Sequence, residues 1–202
     1  MYQPDKYKKN NPAYIFSFIR SHPFATVIIN GSRLLATHIP VLTEGDAQNF
    51  RLFSHIANHN EMLPYLKDNT EMLLVFQGAH GYVSSSWYQQ KDISTWDYSA
   101  VHVNARVKIQ SKEELKESLK KLVAHFEQNQ EVPVFFNDIP QKIVDEHLPQ
   151  ITGFWCEPTK IESIAKFHQG FGCEDVNSVT QHLEKENPTL SREIRKEHGK
   201  NN

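Results

Sequence analysis

His55 and His59 stand four residues apart, the one spacing here that two metal ligands on a helix would share. Ile56 occupies the place where a HExxH metalloprotease motif has its glutamate. His55 also falls at a predicted strand end and His59 at a predicted helix start, so no metal site is expected. His38, His80 and His102 likewise lie in or beside predicted strands, and with His55 they are the imidazoles that one barrel wall could bring together. His125, His147, His182 and His198 sit among charges and read as solvated, and His22, before Pro23, reads as a helix-end residue. A second concentration is Ser84-Ser85-Ser86-Trp87-Tyr88 with Thr95-Trp96-Asp97-Tyr98. Two Trp, two Tyr and several hydroxyls give flat apolar area with polar handles, which suits a planar heteroaromatic ligand. A dimer interface or a loop plug would use the same residues equally well. The sequence contains neither a glycine-rich phosphate loop nor a GxSxG elbow.

The elements that must position these residues follow from periodicity. Asn11 and Pro12 open a helix with Ile15, Phe16, Phe18 and Ile19 as its buried stripe, ended by Pro23. Phe24 to Ile29 is a β-branched run, and Asn30-Gly31 suits a two-residue hairpin before a return strand, Leu34 to Val41. Strands are expected over Asn49 to His55, Met72 to Gln77 and His80 to Ser84, a short helix over Asn60 to Lys67, and a loop over 85–97. From Val101 to Ile109 apolar and polar residues alternate, the period of a half-buried strand. Ser111 and Glu114 form a capping box for a helix with Leu115, Leu119, Leu122, Val123 and Phe126 on one face. A short helix from Pro140 to Leu148, a β segment from Gln150 to Lys166 kinked at Pro158, and a helix from Asp175 to Lys185 follow. The polar tail Asn187 to Asn202 is expected to be loosely held or docked on a partner. About six short strands joined by hairpins predict a mainly β (α+β) protein: an antiparallel Greek-key split β-barrel, closed or half-closed, with peripheral helices.

The 202 residues fit one domain, with residues 170–202 as a helical extension. Lys and Arg number 22 and Asp and Glu 24, a formal charge of −2, which argues against coating nucleic acid through bulk charge. The apolar runs Ala25 to Ile29 and Met72 to Phe76 are too short to cross a bilayer. Cys156 and Cys173 lie in no metal-ligand spacing, and with the polar opening Met1 to Lys6 they read as thiols of a cytoplasmic protein.

The segment Phe76-Gln77-Gly78-Ala79-His80-Gly81-Tyr82-Val83-Ser84-Ser85-Ser86-Trp87-Tyr88, followed by Thr95-Trp96-Asp97-Tyr98-Ser99-Ala100-Val101-His102-Val103, resembles the signature of the PaiB-type transcriptional regulators, an FMN-binding split-barrel family. Met1-Tyr2-Gln3-Pro4, Pro23-Phe24-Ala25-Thr26, Ala36-Thr37-His38-Ile39-Pro40, His55-Ile56-Ala57-Asn58-His59-Asn60, Ile151-Thr152-Gly153-Phe154 and Ile161 to Gln169 agree in order. The resemblance implies a homodimer with FMN in a groove between subunits, a negative regulatory role, and DNA as a partner by family description alone. No helix-turn-helix with basic flanks is visible. It further implies that His38, His55, Ala57 and Asn60 frame the phosphate or ribityl end. Ser84, Ser86, Trp87, Thr95, Trp96 and Tyr98 would frame the ring, and His102, Arg106 and Lys166 the wall and the phosphate. The chain departs from the family pattern at Asn58 (Arg), Ser85 (Pro), Ser94 and Asp97 (Pro and Asn), and along Phe167-His168-Gln169-Gly170-Phe171 (L-S-Q-N-R). Two family cations are thereby absent, leaving Arg51, Arg106, Lys108 and Lys166 as candidate replacements. The other readings are a flavin- or haem-dependent oxidoreductase, with a strand histidine as axial ligand, and a cofactor-free dimeric interaction protein.

Overall fold

Asn11 opens the first helix because its Oδ1 accepts from the N–H groups of Ala13 and Tyr14, and Pro12 fills the position whose N–H would be unsatisfied. In the computed structural model, which describes residues 1–199, this helix, α1, spans Pro12–Ser21. Ile15, Phe18 and Ile19 are buried; Phe16 is only half-buried and packs on Phe50 at 5.5 Å between ring centroids.

Seven strands follow: β1 (Phe24–Asn30), β2 (Leu34–Pro40), β3 (Leu42–Gly45), β4 (Phe50–Ala57), β5 (Glu71–Val83), β6 (Thr95–Ile109) and β7 (Ile151–Lys166). They form one antiparallel sheet in the order β2-β1-β5-β6-β7-β4-β3. β2 and β3 lie at opposite edges of that order, yet Val41 alone separates them. The sheet must therefore roll until its edges meet at this corner, where Val41 is buried, its N–H donates to Pro23 O (2.7 Å) and Ser54 Oγ donates to Pro40 O (2.6 Å). No ladder joins β2 to β3, so the barrel is split, not closed.

Several local expectations are corrected. The β1–β2 connection is not a two-residue hairpin. Asn30 pairs with Leu34 across a three-residue loop, Gly31 N–H donates to Arg33 O (2.9 Å), and neither Asn30 nor Gly31 takes a positive φ. The runs 72–77 and 80–84 belong to one strand, β5, interrupted by a bulge between Gln77 and His80. Gly78 sits in it because a Cβ there would lie 2.4 Å from Ser99 Oγ and 2.8 Å from the Phe18 ring. β3 has no apolar alternation and escaped the pattern. The expected helix over 60–67 shrinks to one 3₁₀ turn, Leu63–Tyr65, where Asn60 Oδ1 accepts from Met62 N–H. Pro158 does interrupt β7, where the register against β6 shifts between Asn104 and Ala105.

The alternation of β6 is realised as read. Val101, Val103, Ala105 and Val107 face a core completed by Ile19, Val27, Ile29, Leu52, Leu74, Phe76 and Phe154. Each Val, Ile, Leu or Phe among them contributes about 1.5–3 kcal/mol through burial. Helix α2 (Lys112–Glu127) carries the capping box of Ser111 and Glu114. It buries Leu115 and rests Leu122 on Phe53 and Trp155, but Phe126 is exposed, beyond the reach of the sheet. After α3 (Gln141–His147) and β7 come α4 (Cys173–Glu186) and α5 (Pro188–Gly199). The tail is not loose: Leu190 and Ile194 are fully buried against Val83, Val179 and Leu183, and Ser191 Oγ donates to Thr180 O (2.8 Å). Residues 200–202 of the expected tail lie outside the described residues.

Candidate functional site

The register distributes the sequence-predicted site residues over three places. The first is the outer face of β2, β1, β5 and β6. Paired residues share a face, so His38, Thr26, Val75 and His102 form one row across four strands, continued by Glu162 on β7. Ala36, Ile28, Leu73 and Asn104 form the next row, and Arg106 lies one further step along β6. Among the described residues no helix covers this face near β1 and β2: Phe24 is 65% exposed and Leu34 72%, while Ile28, Leu73 and Val75 are half-buried. The Phe24 ring stacks on His38 at 6.1 Å. Burial lowers the pKa of His102, helped by the positive Met1 amino group and opposed by Glu162. Tyr98 lies further along β6, packed against Tyr7, Ala100 and Ile164.

The second place is the far end of β5 and β6, under α4. Here the hydroxyl and aromatic block serves mainly to hold the fold. Ser84 Oγ accepts from Ser86 N–H (3.2 Å) and lies 2.8 Å from Ser86 Oγ. The Trp87 ring stacks on His182 (5.0 Å, 7° between planes) and its carbonyl accepts from Ser178 Oγ (2.6 Å), so His182, exposed as expected, also packs on Trp87. Trp96 remains open, 51% exposed, stacked on His80 at 6.0 Å. Lys166 donates to Trp96 O (2.7 Å) and to Thr95 Oγ1, and stands 3.6 Å from Asp97. Its charge is thus committed to this turn.

Sequence reasoning did not select the residues at the centre of this end. Asp97, fully buried, accepts from His168 Nδ1; His168 Nε2 lies 2.9 Å from the Tyr88 hydroxyl. Burial, then the Asp97 charge, pushes the Tyr88 phenol up to about 12. His168 holds a left-handed backbone (φ 62°), a conformation costing about 1 kcal/mol or more for a residue with a Cβ. A signal existed: Asp97 and His168 are both departures from the family pattern, and in space each is the other's partner.

The third place is the end of β4. His55 and Ala57 point away from the core into a half-open cavity of about 440 Å³ formed with α2 and α3. Its walls are apolar, with His55, His59 and His147 and no Lys, Arg, Asp or Glu. His147 lines it from an exposed position on α3. Burial alone lowers the His55 pKa, so the ring is neutral near pH 7. Asn60 stands just beyond and ties this end to β2, its Nδ2 donating to Thr37 Oγ1 (3.3 Å). Among the described residues no group of three or more His, Cys, Asp or Glu side chains is arranged to hold a metal.

Residues 1–160 match the protein family described as "Putative FMN-binding domain". The chain belongs to that family. Over 190 residues it is 30% identical to the "Protease synthase and sporulation protein PAI 2" of Bacillus subtilis (strain 168), a match covering 93% of this chain and 92% of that one. Among solved structures, the FAD and heme binding protein from Mycobacterium smegmatis is similar, with a TM-score of 0.59 and 13% identity over 85% of this chain and 79% of that one. The flavocytochrome Anf3 from Azotobacter vinelandii matches with a TM-score of 0.59 and 15% identity, over 84% of this chain and 74% of that one. At these identities the likeness is one of fold, the split barrel. No helix among the described residues is long and apolar enough to cross a membrane.

Proposed function

We propose that this member of the FMN-binding domain family binds FMN on the outer face of β1, β2, β5 and β6, between two copies of the chain, and acts as a ligand-sensing regulator. The observation that carries this reading is the uncovered apolar face of Phe24, Leu34, Ile28, Leu73 and Val75, framed by His38 and His102. A soluble domain gains by covering such a patch, and a second copy offers the same patch in return. The face also fits the cofactor: a flat half-buried floor takes the ring, imidazoles and Thr26 give edge hydrogen bonds, and the exposed Arg106 guanidinium meets the phosphate. FMN bound there supplies reversible electron transfer. Of the other residues named from sequence, Tyr98 and Trp96 border the same strand and extend the groove. Asn60 stands at its β2 edge, with His55 and Ala57 behind it. Ser84, Ser86, Trp87, Thr95 and Lys166 build the turn that fixes the end of β6. The regulatory part leans on the Bacillus relative, whose name ties that protein to protease synthesis and sporulation.

Two blocking variants test the location. Thr26→Trp fills the floor of the outer face, and Val123→Phe fills the α2 wall of the cavity at the β4 end. FMN uptake, followed by quenching of flavin fluorescence, is expected to fail for Thr26→Trp and to persist for Val123→Phe. The opposite pattern would move the flavin to the cavity and overturn the proposal.

A further inference from the structure

We propose that the cavity between β4, α2 and α3 is a second binding site, for a neutral planar aromatic molecule that carries an O–H or N–H donor. The site is separate from the flavin face and goes beyond the flavin reading. Its lining selects the ligand class. Leu119 and Val123 of α2, Phe136, and Ile143 and Val144 of α3 surround the space, and no charged side chain reaches it. An ionic group placed there would lose its hydration without compensation, so the ligand is neutral. At about 440 Å³ the space lies within the range of small-molecule sites.

The imidazoles set its polarity. The Ile143 carbonyl can only accept, so the 2.8 Å contact with His147 Nδ1 puts the hydrogen on that nitrogen. In its neutral form the ring offers Nε2 to the ligand as an acceptor. His55 adds an imidazole with no hydrogen-bond partner among the described residues, and burial alone accounts for its lowered pKa. Imidazole nitrogens free of partners on an otherwise apolar wall match a molecule that offers a hydrogen and is otherwise apolar.

The roof explains how such a molecule enters. Between α2 and α3 the chain buries almost nothing: Val132 is 80% exposed, and Val134 and Phe135 are also exposed. A segment with few buried apolar contacts opens at low cost. The cavity walls are then the apolar surface on which it closes.

The test uses FMN-saturated full-length protein and three fluorescent probes: 2-naphthol, 2-naphthoate and naphthalene. Binding of 2-naphthol at least tenfold tighter than 2-naphthoate is expected, with naphthalene about fivefold weaker than 2-naphthol for want of the hydrogen bond. Val123→Phe should weaken 2-naphthol at least tenfold while flavin stays bound. Ile143→Trp, on the α3 wall, repeats the test should the first variant fail to fold. In NMR spectra 2-naphthol should move the ring resonances of His55 and His147 and leave those of His182 in place. Equal affinity for 2-naphthoate, or undiminished binding in both filled variants, would overturn the proposal. Release of FMN by 2-naphthol would also overturn it, because the two ligands would then share one site. A failure of the flavin reading appears separately, as no FMN uptake before any probe is added.

Discussion

Replacing Asp97 by alanine removes the acceptor that holds His168 Nδ1 and the anion that stands 3.6 Å from Lys166. Asp97 and the His168 side chain are both fully buried, and Lys166 is mostly so, hence water cannot repair the loss. Breaking a buried pair by deleting one partner costs about 3–5 kcal/mol. For a chain of this size each kcal/mol lowers Tm by about 2–4 °C, so a fall of roughly 6–20 °C is expected. Asp97→Asn keeps an oxygen facing His168 but gives up the charge. The difference between a charge-assisted and a neutral hydrogen bond is about 1–2 kcal/mol, or roughly 2–8 °C. Because the pair is buried, added salt should not shrink either effect. The assay is thermal unfolding by circular dichroism, with His168→Ala and the double variant completing a cycle. An alanine variant that melts within about 2 °C of the parent, or a coupling near zero, would refute the assignment of this pair as a structural tie between β6 and the turn after β7.

Phe24→Asp should abolish the proposed dimer while leaving the fold intact, since the ring lies outside the core. Covering the exposed part of the ring is worth up to about 3 kcal/mol in each copy, and sedimentation velocity reads the outcome. Arg106→Ala should weaken FMN by about 10- to 100-fold and leave riboflavin unchanged, because only FMN offers a phosphate; parallel titrations of both flavins check this. Burial lowers the pKa of both His55 and His102 from the usual 6.5. As pH falls below about 6.5 the unfolded chain therefore takes up more protons than the folded one, and stability, complete above that pH, is lost. The urea midpoint should be lower at about pH 5.5 than at about pH 7.5, and His55→Gln should flatten the dependence.

Much of the fold was legible because it rests on local chemistry. The cap at Asn11, the capping box of Ser111 and Glu114, and the alternation from Val101 to Ile109 each act within a few residues. What escaped depends on the partners. β3 exists because Leu42 to Gly45 pairs with Phe53 to Phe50, which no pattern within those four residues announces. The tail reads as polar, yet Leu190 and Ile194 suffice to dock it once α4 presents Val179 and Leu183. Residues named together for one site separate for the same reason. His38 and His102 share a row only through the register of four strands, whereas His55, on the adjoining half of the roll, faces helices. The tie between Asp97 and His168 spans 71 positions and was visible only as two unexplained departures from one pattern.

The most direct test of the account is a titration of the purified, flavin-free protein with FMN, read by flavin fluorescence together with the molar mass by light scattering. Saturable quenching at one FMN per chain, on a species of twice the chain mass, is the predicted result. A monomer that leaves flavin fluorescence unquenched would contradict the claim that the outer face of β1, β2, β5 and β6 is a flavin groove completed by a second copy.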